Sequence, residues 1–153
     1  MGALFARITG RPRLQFARLK TVLRNVCEKD EAVGSILKLD KHASGDDEKD
    51  FILMQIAEQM YNFVQMIMQD EILHNISELR CACYCLGKQH AAYTVQSFKV
   101  VYWDEFTLAM IEELENTNRL SNEDLRAWQT LVHLIVENML RGYDHAKKTQ
   151  IER

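Results

Sequence analysis

The stretch Ile76-Ser77-Glu78-Leu79-Arg80-Cys81-Ala82-Cys83-Tyr84-Cys85-Leu86-Gly87-Lys88-Gln89-His90-Ala91-Ala92 decides the fold. Ile76, Leu79, Cys83, Leu86 and His90 recur at steps of three and four. That spacing lines them along one face of an α-helix. His90 therefore takes a core position, and Gly87 with Ala91-Ala92 leaves the backbone beside it accessible.

The same periodicity extends in both directions. Upstream, Leu53, Ile56, Ala57, Met60, Phe63, Val64 and Ile67 form a stripe that predicts a helix over residues 47–69. Phe51, Ile52, Met54, Tyr61, Met66 and Met68 lie off the stripe, so this helix is apolar on more than one face and suits a central position. Ser44 with Asp47 can cap its start. Asp70-Glu71 marks a break. Downstream, Ser97 is the expected cap of a helix with the face Phe98, Val101, Tyr102, Phe106, Ala109, Met110 and Leu114. Ser121 and Asp124 form a capping box for the last helix, with Leu120 able to staple onto Leu125. The stripe of that helix is Leu125, Trp128, Leu131, Val132, Ile135, Val136 and Met139, and Gly142 is expected to end it.

Near the start, Ala3 to Ile8 reads as a short amphipathic piece broken at Gly10-Arg11-Pro12. A helical pattern resumes at Leu14 to Cys27, with Leu19, Val22, Leu23 and Val26 on one side. Residues 38–49 are polar and form the clearest loop of the first half. One Pro and six Gly in 153 residues are too few for the many tight turns of a sandwich or barrel. The chain reads as a single all-α domain over residues 1–153.

The formal net charge of -3 gives no basic excess for nucleic acid or anionic lipid. No apolar run is long enough to span a bilayer. The first residues are too short before Arg7 for a secretion signal, and position 6 is Ala, not the Ser or Thr that favours myristoylation of Gly2. A cytoplasmic location is the expectation. The four cysteines are then thiols, read as small buried apolar residues. Cys81, Cys83 and Cys85 are spaced too closely for a zinc pair, and no second pair answers them.

No nucleophile motif, phosphate-binding loop or His-x-x-x-His pair occurs, so no catalytic residue and no enzymatic activity are expected. His42 and His74 fall in or beside polar loops, His133 sits between core positions, and His145 lies toward a frayed end. His90 alone continues a long apolar stripe with small neighbours. A neutral imidazole in apolar surroundings with one open face can ligate a haem iron axially. The same placement also suits a hydrogen-bonded core histidine.

The segment Leu86-Gly87-Lys88-Gln89-His90-Ala91 resembles the proximal helix of the globin family, in which a Leu stands four residues before the iron-binding His. Phe98-x-x-x-x-Trp103-x-x-Phe106 looks like the next helix of nematode-type invertebrate intracellular globins. Ala127-Trp128 and Ile135-Val136-x-x-Met139-x-x-Gly142-Tyr143 look like the last one. The resemblance covers Phe51 to Tyr143, with order and spacing kept. It implies a globin-like fold, haem b as cofactor, His90 as the iron ligand, and reversible binding of oxygen or another diatomic gas for storage, transport or sensing. Leu86, Val95, Phe98 and Val101 would then line the porphyrin on one side, and Met60, Phe63 and Val64 on the other.

The resemblance leaves two registers open for the distal residue. Counting back thirty-one positions from His90 reaches Gln59, and thirty-four reaches Ile56. The first fits the family spacing better and offers a hydrogen-bond donor; the second fits the apolar stripe better. No histidine falls in this window. An electron-transfer globin with two axial ligands would need His42 or His74 to swing in.

Residues 1–46 depart from the pattern, whereas 47–146 hold the distal, proximal and last two helices. Gly2 to Ile8 followed by Pro12 looks like the second globin helix running into the third, so the first globin helix is missing. Phe16, or else Ile36 or Leu37, would take the place of the aromatic that wedges the haem. An absent first helix would expose apolar surface and favour a homodimer. A haem-free helical interaction module is the competing expectation.

Overall fold

The structure is a computed structural model and describes residues 16–36, 45–93, 99–116 and 120–152. Every regular element among these residues is helical, as the sequence pattern requires: α1 (Phe16–Lys29), α2 (Glu31–Ile36), α3 (Asp46–Ile67), α4 (Asp70–Leu73), α5 (Ile76–Tyr93), α6 (Val101–Asn116) and α7 (Asn122–Ile151).

The stripes read from the sequence turn inward. In α1, Leu19, Val22, Leu23 and Val26 are buried. In α3, Leu53, Ala57 and Ile67 are buried, with Ile56, Met60, Phe63 and Val64 packed against them. Phe51, Met54 and Met66 of α3 are exposed, so the off-stripe apolar residues of this helix do not all find a core. Each fully buried Leu or Ile, such as Leu19, Ile67, Leu79 or Leu131, contributes about 1.5–3 kcal/mol from removal of apolar surface from water.

Helix boundaries follow local chemistry. Ser121 is the N-cap of α7; its Oγ accepts from the Asp124 amide at 3.1 Å and donates to Asp124 Oδ2 at 2.6 Å. Leu120 and Leu125, on either side of this cap, both pack against the core, as a hydrophobic staple requires. At α3 the N-cap is Gly45, with extended φ -65 and ψ 165 and no side-chain cap. Of the expected Ser44–Asp47 box, Ser44 lies outside the described residues. Asp70-Glu71 opens the one-turn helix α4, so the break falls just before it, at Met68-Gln69.

Two expectations change. Gly142 does not end the last helix; α7 runs on to Ile151, thirty residues in all. A Cβ on Gly142 would run into the Tyr84 carbonyl of α5, so the glycine serves a helix crossing, where its missing side chain lets the backbones meet. The helix after His90 begins at Val101, and Val101 is 46% exposed. Trp103 and Thr107 are buried beside Tyr102, Ala109, Met110 and Leu114, because α6 is covered on two sides, by α1 and by α7. The expected cap Ser97 lies outside the described residues, as do Gly2 to Ile8, Pro12, Leu37 and His42.

The most intimate pairing is α5 on α7. α1 packs on both α3 and α6, and α6 also packs on α7. Lys20 and Arg24 of α1 reach Asp50 of α3 at 2.6 and 3.0 Å, and Lys29 reaches Glu112 of α6 at 3.0 Å. These pairs are solvent-facing, so water and salt screen them and they orient the helices more than they stabilise them. No helix among the described residues is long and apolar enough to cross a membrane.

Candidate ligand-binding site around His90

His90 stands near the end of α5, part-buried. Its Nδ1 lies 2.9 Å from the Leu86 carbonyl oxygen one turn earlier. A carbonyl can only accept, so Nδ1–H donates and the neutral ring is the Nδ1–H tautomer. The lone pair then resides on Nε2, which has no hydrogen-bond partner among the described residues. The Trp103 ring of α6 meets the imidazole edge-on, with centroids 5.5 Å apart and planes at 85°. Trp103 in turn meets Tyr143 of α7 at 5.5 Å and 83°. Three helices thus fix the plane of the His90 ring.

The close approach of α5 to α7 holds this helix in place. A Cβ on Gly87 would overlap the Met139 carbonyl, just as one on Gly142 would overlap that of Tyr84. Tyr84 Oη is bonded to Nδ1 of His145, so His145 belongs to the crossing and not to a frayed end. Lys88 places its ammonium 5.8 Å from the centre of the Tyr84 ring.

The other site residues read from the sequence divide into three groups. Leu86, Met60, Phe63 and Val64 are part-buried and pack against the core. Gln59 and Val101 are exposed. Val95 and Phe98 lie outside the described residues. Of the two distal registers, Ile56 turns toward the core and Gln59 toward solvent. α3 is held chiefly by α1, and α5 by α7; α3 and α5 do not pack extensively on each other.

Trp103 is the neighbour of His90 that periodicity did not assign. Its contact spans two helices separated by residues 94–100, so no pattern within α5 reveals it.

The other described histidines do not join the site; His42 lies outside the described residues. His74 lies 3.6 Å from Asp70, and His133 is exposed on α7. Among the described residues no group of three or more His, Cys, Asp or Glu is arranged to hold a metal ion. A metal at His90 therefore fits only if it brings most of its own ligands, as a porphyrin iron does. The part-buried imidazole with a lone pair on Nε2 fits such a group on one side.

The thiols differ from the expectation that all are buried. Cys83 is buried and Cys27 part-buried, but Cys81 and Cys85 are exposed. Burial pushes the Cys83 thiol up to about 12. Burial, with the charge of Glu28, pushes Cys27 up to about 11. Steps of two along α5 alternate between faces, which separates Cys83 from the other pair.

No protein-family model matches this chain, and no curated protein matches it.

Proposed function

We propose that the chain is a haem-binding protein of globin type that reversibly binds oxygen or another diatomic gas, with His90 as the axial ligand. The observation that carries this reading is the His90 Nδ1–H bond to Leu86, which leaves the lone pair on Nε2. Haem would supply the ferrous iron at which the gas binds. His90 would hold that iron, and the Leu86 carbonyl would keep the ring in one tautomer and raise its basicity as a donor. Ile56, Met60, Phe63 and Val64 form the apolar face on α3, which would limit water and so slow oxidation of the iron. Gln59 stands at the exposed margin of that face, where a hydrogen bond to ligand would require it to turn inward.

The test is a visible spectrum of protein produced with haem supplied. A Soret band that His90→Ala abolishes or strongly shifts is expected. No band, or one unchanged in His90→Ala, overturns the proposal. A ferrous, deoxygenated spectrum of five-coordinate iron is expected, since no second histidine stands on α3.

One observation favours a second reading, a haem-free helical interaction module. The His90 ring is already bonded at Nδ1 and packed against Trp103, as a structural histidine would be. In that case His90→Ala lowers stability and no haem is taken up.

A further inference from the structure

We propose that Cys81 and Cys85 together form a two-thiolate clamp for a single soft, thiophilic ion of the monovalent copper class. Both side chains are exposed on the same face of α5, one turn apart. The helical repeat brings the two side chains alongside each other across that turn, and the interaction with Cys85, ahead of burial and the Glu78 carboxylate, holds the Cys81 thiol above its ordinary range. An ion that bridges both sulfurs displaces the two thiol protons, so binding must overcome the raised Cys81 value and strengthens as pH rises.

The helix selects what can bridge them. Residues four apart on a helix have Cβ atoms about 5–6 Å apart. A disulfide needs about 3.5–4.5 Å, so oxidation would distort the turn that leads to Leu86. A bridging metal inserts two bonds of roughly 2.3 Å, the usual metal–thiolate length, and spans the pair without moving the backbone. Zinc is disfavoured because it takes four protein donors, and no group of three or more His, Cys, Asp or Glu meets here among the described residues. A soft ion content with two thiolates matches the donor set. The binding step is Cu⁺ plus two thiols giving a bis-thiolate anion and two protons, with no change of oxidation state.

The clamp is separate from His90 and does not depend on haem. The test uses the full, reduced, haem-free chain titrated into a chromophoric Cu(I)–bicinchoninate complex, with circular dichroism to verify that each variant is folded. Withdrawal of one copper per chain is expected in the unaltered protein. Cys81→Ser and Cys85→Ser, both at exposed positions, are each expected to fall to the background of the double variant. Failure of the unaltered chain to withdraw copper overturns the proposal, as does a single variant that still withdraws one.

Discussion

Gly87 of α5 lies directly against the Met139 carbonyl of α7, with no space for a Cβ between them. Together with Gly142 against Tyr84 this makes the α5–α7 crossing a backbone contact. Gly87→Ala or Gly142→Ala must push the helices apart. The rearrangement is expected to cost about 1–3 kcal/mol or more, beyond the ~1 kcal/mol that alanine returns in helix propensity. Urea denaturation measures it. The contrasting change is Gly45→Ser at the N-cap of α3, where nothing lies within 4 Å. It adds a cap side chain and is expected to stabilise by a few tenths of a kcal/mol.

Ser121→Ala removes the acceptor of the Asp124 amide at the start of α7. A loss of about 1 kcal/mol is expected. Ser121→Asn, which can still cap, should recover most of it in the same denaturation series.

Trp103 joins His90 to Tyr143 and is 9% exposed. Trp103→Ala is expected to destabilise by roughly 3–5 kcal/mol through the cavity it leaves. Val101→Ala, at an exposed site, should stay within about 0.5 kcal/mol. On the proposed haem reading, Trp103→Phe should shift the Soret maximum by altering the packing of the His90 ring, with stability changing far less than in Trp103→Ala.

Two carboxylates give opposite pH dependences. Lys20 donates to Asp50, and the charges of Lys20 and Arg24 add to this, holding the folded Asp50 carboxyl below its ordinary value. Its contribution is present above the unfolded value, near 3.9, and is lost as pH falls through the depressed one. Glu105 is raised by burial and by its hydrogen bond and repulsion with Asp30. Its contribution is full below the unfolded value, near 4.3, and is lost as pH rises through the elevated one. Denaturation midpoints between pH 3 and pH 7 test both. Asp50→Asn should narrow the gap to the unaltered protein as pH falls. Glu105→Gln should be the more stable chain at neutral pH, with its advantage shrinking toward acid.

The thiols should separate into two kinetic classes with a thiol-reactive disulfide dye at mildly alkaline pH. Cys81 and Cys85 are exposed and should react first. Cys83 and Cys27, whose thiols are held near 12 and 11 by burial, should react only as the chain opens. Fast labelling of all four in native protein would contradict the burial of Cys27 in α1 and of Cys83 in α5.

The helices and their buried stripes are legible in the residue order alone. Leu19, Leu53, Leu79 and Leu131 are spaced by the helical repeat, and burying them leaves one choice of inner face. The same order places His90 on the inner side of α5 and Ser121 at the head of α7, because caps and periodicity are local. Features that depend on a neighbouring helix emerge only from the packing. Gly142 carries the signature of a helix end, yet the α7 backbone continues because α5 passes over it and needs the absent side chain. Cys81, Cys83 and Cys85 have the same chemistry in the sequence, but α7 covers one face of α5 and divides them into one buried thiol and two exposed ones. Trp103 meets His90 for the same reason. A periodicity records which face of a helix avoids water, and carries nothing about which side chain of another helix will lie against it.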